Sequence, residues 1–251
     1  MIIGIGGTKG SGKDTLASMI NYILEVGTAK ATYVEWNKKN NTFARLSSTY
    51  KKPDTIIHYA DNLKDCLSII YNIRRDYFDD RKYKEDMWYC FSNRKFYSNT
   101  DLVGGTFYKI DIKDLELNSL SYILTNLRFQ CVIKLRTLLQ YFGINICRQI
   151  LGKDIWINST IAKANELNYL KGFCIIADVR FNNESEAISK YISNRVIKIG
   201  RNSDISTGES SEGGHQSEIC DFQYTDLITN NSTLLTLYYK ALAFVNSLNL
   251  K

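Results

Sequence analysis

The sequence begins with an apolar run that leads into the stretch GGTKGSGKDT, from Gly6 to Thr15. Its glycines and its lysine follow the spacing G-x-x-x-x-G-K, which ends at Lys13. In this spacing the backbone N–H groups surround a polyphosphate, and the lysine reaches the outer phosphates. The motif needs a strand before it and a helix after it. Residues 1–7 and the apolar spacing from Lys13 to about Leu24 predict both elements.

Asp14 follows the lysine at the position where a Ser or Thr usually supplies a ligand for magnesium, and Thr15 keeps a hydroxyl one position later. A carboxylate is a hard oxygen ligand, and negative charge is favourable in the first turn of a helix. We therefore predict a Mg²⁺ site at Asp14 and Thr15, with Asp14 binding the ion directly or through water. The predicted phosphate site consists of Gly7, Gly10, Ser11, Gly12, Lys13, Asp14 and Thr15.

Composition narrows the class of protein. The chain has 251 residues, is 44% hydrophobic and carries a net charge of +6, so it can bury a large core and attract an anionic substrate. Its basic residues form no clustered stripe, which argues against stable nucleic-acid binding. We find no run of 18 apolar residues and expect no membrane association. Six scattered cysteines without a C-x-x-C pair favour a reduced, cytoplasmic protein.

Apolar strands alternate with amphipathic helices along the chain, which predicts an α/β fold of three layers around a mostly parallel sheet. Strands are predicted at 1–7, 55–60, 173–178, 195–200 and 225–229. The simplest partition is one domain, 1–251, with a Tyr-rich insertion at about 76–116 in which fragments such as FYKIDI suggest a small β-hairpin. The polar stretch at about 201–214 is predicted to be a lid-like loop.

A second group of polar residues lies on a helix predicted at 131–142 and ended by Gly143. Arg136 and Gln140 are four residues apart and share one face of it. An arginine grips a phosphate with two hydrogen bonds, and a glutamine offers a donor and an acceptor to a base edge. A solvated helix flank is an open alternative. Arg148 follows on the next turn.

A third group follows the predicted strand at 173–178. In open α/β sheets ligands bind beyond the carboxyl ends of the strands, where Asp178 and Arg180 are expected to lie. Asp178 can orient a metal-bound water or the acceptor, and Arg180 can hold the acceptor phosphate; a turn Asp with a solvated Arg is the alternative. Arg201, at the start of the lid-like loop, can stabilise the transferring group, and an exposed loop arginine is an equal alternative. For His215 a structural role is preferred.

Several stretches together resemble the deoxynucleoside monophosphate kinases of tailed phages and large DNA viruses: GTKGSGKDT, HYADNLKD, RTLLQYFGINICRQILGKDIWI, IIADVRFNNESEAI and DLITNNSTLLTLYYKA. The resemblance implies a P-loop kinase of the nucleoside monophosphate kinase type that uses ATP and Mg²⁺. It would phosphorylate deoxynucleoside monophosphates to diphosphates for dNTP synthesis. The resemblance implies that Lys13 acts on ATP and that these residues lie near the acceptor: Asp61, Lys64, Arg136, Gln140, Arg148, Asp178 and Arg180. It also makes a homodimer plausible.

The predicted mechanism is positioning and charge neutralisation by a catalytic set made of Lys13, Arg136, Asp178, Arg180 and Arg201. Animal phosphomevalonate kinases share a similar S-G-K-D loop, so they and other small-molecule P-loop kinases remain alternatives. A GTP-binding switch is a competing class, but NKKN at 37–40 lacks the aspartate that reads guanine. An inactive nucleotide-binding subunit is a further alternative.

Overall fold

The computed structural model describes residues 1–8, 10–45, 54–103, 107–111, 115, 130–201 and 222–248, with only the backbone at 40–45. The chain divides into two compact units: unit 1 is Met1–Tyr59 with Ser159–Lys251, and unit 2 is Ala60–Asn158. Unit 2 contains the insertion predicted at 76–116, and the single-domain partition stays a prediction. Apart from Arg201, the predicted lid lies outside the described residues, as does His215.

The elements follow in chain order. The strands are β1 Ile2–Gly6, β2 Ile56–Ile57, β3 Trp88–Cys90, β4 Lys95–Tyr97, β5 Phe107–Ile110, β6 Gln130–Ile133, β7 Cys174–Val179, β8 Arg195–Gly200 and β9 Asp226–Thr229. The helices are α1 Lys13–Val26, α2 Tyr33–Arg45, α3 Asp61–Tyr71, α4 Leu135–Gln140, α5 Ile155–Lys171, α6 Asn182–Ser189 and α7 Leu234–Ser247. A 3₁₀ helix spans Arg75–Phe78, and π-helical segments span Lys82–Asp86 and Tyr141–Leu151.

Unit 1 is built on a five-stranded sheet in the order β2–β7–β1–β8–β9, and every neighbouring pair is parallel. Strand β1 is central and buried along its whole length, as its unbroken apolar sequence predicts. Helices flank the sheet, so the predicted three-layer α/β fold with a mostly parallel sheet is confirmed. Because the strands are parallel, their carboxyl ends share one edge, and the loop after β1 opens there.

The two faces of the sheet are covered by different helices. Ile3 and Ile5 of β1 belong to a buried cluster with the apolar sides of α1 and α7. On the other face, a Cβ added to Gly4 would lie 2.7 Å from Ile188 of α6, so helix and strand approach closely there. This packing holds the amino end of α1 beside the carboxyl end of β1.

Unit 2 has its own four-stranded sheet, in the order β4–β3–β6–β5. Strands β3 and β4 form an antiparallel hairpin, so a small hairpin does lie in the predicted insertion. The fragment FYKIDI is a different case, because its strand β5 pairs in parallel with β6 rather than forming the hairpin. A separate buried cluster centred on Leu67, Phe78 and Leu138 forms the core of this unit.

The helix predicted at 131–142 is wrong in its first part and its end. Residues 130–133 form β6, because the apolar run CVI completes the second sheet between β3 and β5. Helix α4 begins only at Leu135, and Gly143 lies inside the π-helical segment that continues it. A Cβ on Gly143 would lie 2.9 Å from Leu63, so this glycine serves close packing instead of ending a helix.

Two helices of the chain each lack one of the usual local signals of a helix. Helix α3 begins at Asp61, with Ala60 at the cap position and no side-chain cap. The polar stretch before β2 contains helix α2, whose Trp36 is buried against Tyr238 of α7. One buried aromatic face was sufficient to stabilise a helix whose mean composition is polar.

No helix in the described part of the chain is long and apolar enough to span a membrane. The five cysteines in the same part of the chain are all free thiols: Cys66, Cys90, Cys131, Cys147 and Cys174.

Candidate phosphate-binding site

The glycine loop between β1 and α1 has the backbone shape of an anion cradle. Gly10 and Gly12 have φ angles of 82° and 97°, a region that residues with a side chain rarely adopt. The Ser11 N–H donates to the Thr8 carbonyl at 3.2 Å, which closes the turn. Helix α1 then begins at Lys13, where the first N–H groups of a helix have no intrahelical acceptor and face outward.

Asn230, which follows β9, forms a hydrogen bond with the glycine loop. Its side-chain amide donates to the Ser11 carbonyl at 2.8 Å. A Cβ on Gly12 would lie 2.6 Å from the same amide nitrogen, so the contact requires glycine at that position. Asn230 also lines a cavity of about 290 Å³ together with Arg201, Asn231 and Ser232. Asn230 was not predicted from the sequence, because an Asn after a strand usually indicates only a turn.

Lys13 and Asp14 project from the first turn of α1. Lys13 is half-buried, and its ammonium forms no hydrogen bond or ion pair with any other described residue. The Asp14 side chain is 74% exposed and lies 3.5 Å from Nε2 of His58, which follows β2. A lysine without a partner beside outward-facing amides is the arrangement that binds the terminal phosphates of a nucleotide.

Asp178 lies on β7, the neighbour of β1, and accepts a hydrogen bond from the Tyr59 N–H at 2.9 Å. The Tyr59 hydroxyl donates to the Glu184 carbonyl at 3.1 Å. Burial, followed by the nearby carboxylates of Glu184 and Asp178, raises the pKa of Tyr59 far above its ordinary value. The phenol therefore stays protonated and remains a donor. Tyr59 thus ties the end of β2 to β7 next to the glycine loop.

The turn after β7 is shaped by Glu184, whose side chain is buried. Its carboxylate accepts the N–H groups of Arg180 at 2.8 Å and Phe181 at 3.2 Å, which satisfies two backbone donors at the start of α6. The Arg180 side chain is exposed, and its guanidinium contacts no other described residue by hydrogen bond or ion pair. Phe181 occupies the cap position, so the usual Ser/Thr signature of this turn is absent from the sequence.

Unit 1 therefore brings together most of the predicted donor-side residues at the carboxyl edge of its sheet. The glycine loop, Lys13, Asp14, Thr15 and Asp178 lie at the ends of the adjacent strands β1 and β7, and Arg201 directly follows β8. The roles of these side chains stay predictions. Three residues that were not predicted from the sequence make contacts at this edge of the sheet: His58, Tyr59 and Asn230.

The remaining predicted residues belong to unit 2. Lys64 of α3 donates to Asp79 at 2.8 Å and lies 3.6 Å from Asp61. Arg75 contacts Asp79, Asp61 at 3.0 Å and Asp65 at 2.5 Å, so it links α3 to the 3₁₀ helix. Burial opposes ionisation of Asp79, but hydrogen bonds and charge from Lys64 and Arg75 outweigh it and lower the pKa of this carboxyl group. Asp61 and Lys64 are thus members of a surface charge network.

Arg136 on α4 donates to Glu85 at 2.9 Å and is more than half exposed. Gln140 lies one turn further along the same helix, as predicted, and is partly buried. Arg148 lies in the last turn of the π-helical segment and is also partly buried. Glu85 was missed, because it lies 51 residues from Arg136 in a segment without a regular period.

The donor set near Lys13 fits magnesium. Among the residues that the structure describes, no group of three or more His, Cys, Asp or Glu side chains could hold a metal ion. Mg²⁺ bound to a nucleotide needs only one or two carboxylates, since phosphates and water complete its octahedron. The exposed Asp14 carboxylate and the Thr15 hydroxyl are hard oxygen donors of this kind.

Comparison with known proteins supports the resemblance drawn from the motifs. Over 209 residues the chain is 25% identical to the deoxynucleoside-5′-monophosphate kinase of Escherichia phage T5, a match that covers 75% of this chain and 71% of that protein. No protein-family model matches the chain. The match and the mostly parallel sheet with its glycine loop support a kinase, that is, a phosphotransferase, built on the P-loop fold.

Proposed function

We propose that the protein transfers the γ-phosphoryl group of ATP to a deoxynucleoside monophosphate, which yields the diphosphate used in dNTP synthesis. The observation that carries the proposal is the loop between β1 and α1, where Lys13 has no partner among the described residues beside a row of outward-facing amides. The acceptor class is supported by the printed name of the phage T5 protein. We expect the reaction to take place in the cytoplasm, the host's if the protein is viral.

The chemistry requires little beyond position and charge. An oxygen of the acceptor phosphate forms a bond to the γ-phosphorus, the bond from that phosphorus to the β–γ bridging oxygen breaks, and its electron pair leaves on ADP. Since the acceptor oxygen is already ionised, no strong general base is needed. We assign Lys13 and the loop amides to the donor phosphates, and Arg180 and Arg201 to negative charge on the transferring group and the acceptor. Asp178 is assigned to acceptor orientation.

Lys13 and the loop amides do not neutralise all the negative charge on the phosphates of ATP. Asp14 and Thr15 would hold Mg²⁺, which supplies positive charge to the phosphate oxygens when bound. The Asp14 carboxylate is close to His58, at 3.5 Å, so the imidazole can keep it near the start of α1. In unit 2 we assign Asp61, Lys64, Arg136, Gln140 and Arg148 to the acceptor, as the resemblance implies.

The deciding experiment is an ADP-release assay with saturating ATP and Mg²⁺. Each of the four deoxynucleoside monophosphates is offered, beside phosphomevalonate and dephospho-coenzyme A as acceptors of other small-molecule kinases. We expect turnover with at least one deoxynucleoside monophosphate and none with the other two compounds. Turnover only with phosphomevalonate or dephospho-coenzyme A would move the protein to another kinase class. ATP binding without any product would indicate a non-catalytic nucleotide-binding protein.

The residue test of the same proposal is Lys13→Ala. Loss of one charge-stabilising contact in the transition state lowers kcat/KM by about 100- to 1,000-fold. The side chain is half-buried and has no partner among the described residues, so circular dichroism and melting temperature should stay close to those of the parent. A folded variant that keeps its turnover contradicts the assignment. Lys30→Ala, an exposed lysine in the turn after α1, is the matched control.

A further inference from the structure

Lys84 is a cation that the sequence analysis did not select. It lies in the π-helical segment Lys82–Asp86, which packs against α4 and the 3₁₀ helix. Its side chain is partly buried, yet its ammonium forms no hydrogen bond or ion pair with another residue in the described part of the chain. Lys82, two residues earlier, is exposed and lies over the Tyr83 ring at 5.9 Å, an ordinary surface position.

The acidic residues near Lys84 are already engaged by other cations. Glu85 accepts Arg136 at 2.9 Å, and Asp79 accepts Lys64 at 2.8 Å. Burial lowers the pKa of Lys84, the charge of Lys64 lowers it further, and Arg136 acts in the same direction, while Glu85 and Asp79 oppose them. Lys84 therefore has two like charges near it in unit 2, those of Lys64 and Arg136, and no direct counter-ion among the described residues.

Such an arrangement is unfavourable without a ligand. A partly desolvated ammonium with like charges beside it costs free energy, and groups perturbed in this way concentrate at functional sites. A structural lysine would hold its charged end at an exposed position, as Lys82 does. A dianion would reverse the cost, because it offers acceptors to Lys84 and to the neighbouring cations at once. Arg136 uses only Nη1 on Glu85, so its other donors can contact an anion.

We propose that Lys84, flanked by Lys64 and Arg136, binds the phosphate of the acceptor deoxynucleoside monophosphate. This inference rests on the proposed function for the identity of the acceptor. It adds a direct phosphate contact to the residues that the resemblance implies, and gives Glu85 and Asp79 the task of holding the flanking cations in place. The binding surface consists of unit 2 residues alone.

The experiment compares Lys84→Met, which keeps the apolar stem and removes the charge, with the matched control Lys82→Met on the same turn. Steady-state kinetics are measured against the deoxynucleoside monophosphate and against ATP. Loss of one charge-assisted phosphate contact raises KM for the monophosphate by about 10- to 100-fold in Lys84→Met, with KM for ATP unchanged. Lys82→Met should match the parent, and Lys84→Arg should recover most of the affinity.

Calorimetric titration separates this inference from the proposed function, because binding is read without turnover. The parent and Lys84→Met are titrated with the monophosphate and with the matching deoxynucleoside, which lacks the phosphate. We expect Lys84→Met to weaken binding of the monophosphate only. Equal monophosphate affinity in parent and variant overturns the inference while leaving the kinase proposal intact. A different outcome is that the parent binds the monophosphate but does not phosphorylate it, and that Lys84→Met binds it more weakly. That outcome supports the anion site at Lys84 and overturns the kinase proposal.

Discussion

At the scale of single residues, the glycine loop depends on a contact from a distant part of the chain. Asn230 donates to the Ser11 carbonyl at 2.8 Å and occupies the space that a side chain on Gly12 would need. Gly10 has a similar left-handed backbone, but a Cβ there would meet nothing within 4 Å. Both glycines therefore need a left-handed backbone conformation, but only at Gly12 would a side chain also collide with a neighbouring residue.

This difference gives a prediction about stability. A left-handed residue other than glycine costs about 1–2 kcal/mol, so Gly10→Ala should lower the free energy of unfolding by this amount. Gly12→Ala carries the same strain and also displaces Asn230, so we expect a total loss of about 2–4 kcal/mol, from the strain and the broken hydrogen bond together. Urea unfolding of both variants measures the difference.

Asn230→Ala provides the control for the steric term. In that background the Gly12→Ala change should cost no more than Gly10→Ala does in the parent, because the obstructing amide has been removed. If Gly12→Ala lowers the free energy of unfolding as much in the Asn230→Ala background as in the parent, a contact other than Asn230 causes the loss.

Residue types with strong local signatures were predictable, and residues that act through tertiary contacts were not. Lys13 ends a motif whose spacing predicts its place at the start of α1, and Asp14 follows it directly in the sequence. Tyr59 and Glu184 have no motif: one acts through its backbone and a buried phenol, and the other through a carboxylate that bonds backbone N–H groups. Such roles depend on which strands become neighbours, and residue spacing in the sequence does not contain that information.

At the scale of elements, the charge network of unit 2 connects α3 to the 3₁₀ helix. Lys64 and Arg75 both contact Asp79, and Arg75 also contacts Asp61 and Asp65 on α3. Because these side chains are partly exposed, the network is screened by solvent and its contribution to stability is modest. Its pH dependence is nevertheless specific, since the pKa of Asp79 is lowered in the folded state.

The direction of that pH dependence follows from the lowered pKa of Asp79. A carboxyl group whose pKa is lowered by folding stabilises the folded state above its unfolded pKa, about 3.9, and loses this contribution as pH falls through the lower folded value. Asp79→Asn should therefore lower the melting temperature by about 1–3 °C at neutral pH. Its deficit relative to the parent should shrink below about pH 4.

Calorimetry between neutral pH and strongly acidic buffer measures both quantities. Asp86→Asn removes the same charge from a nearby exposed position and should leave the acid slope of the parent intact. A deficit of Asp79→Asn that stays constant down to the lowest pH would contradict the linkage.

The elements of the parallel sheet were well predicted because buried parallel strands are continuous apolar runs bounded by turns. The segment 130–151 was harder, since its apolar run fits either a strand or one face of a helix. Its first part joins a sheet whose other strands are distant in sequence, and its last part continues through Gly143, a residue that locally favours ending a helix. Tertiary packing decided both outcomes.

At the scale of the molecule, each compact unit has its own buried core. Ile175 lies in the core of unit 1 and Leu138 in that of unit 2, and both are completely buried. Truncating either to Ala leaves a cavity and should cost about 2–5 kcal/mol. Hydrogen exchange measured by mass spectrometry should show that amides exchange faster than in the parent first in the unit that carries the cavity.

The two variants act as controls for each other. We expect Leu138→Ala to accelerate exchange first within Ala60–Asn158 and Ile175→Ala first within the remaining segments. The same pattern of acceleration in both variants would mean that the chain opens as one cooperative body.

The order of strands in the unit 1 sheet has a consequence for how the protein is made. Strand β1 leaves the ribosome before its neighbours β7 and β8, which follow about 170 and 190 residues later. At 5–20 residues per second the nascent β1 waits roughly 10–40 seconds with its apolar side chains unpaired, whereas Ala60–Asn158 emerges as one continuous stretch. The edge of the sheet that carries the glycine loop is therefore among the last features to mature, and we expect chaperones that shield hydrophobic segments to bind nascent β1 during translation.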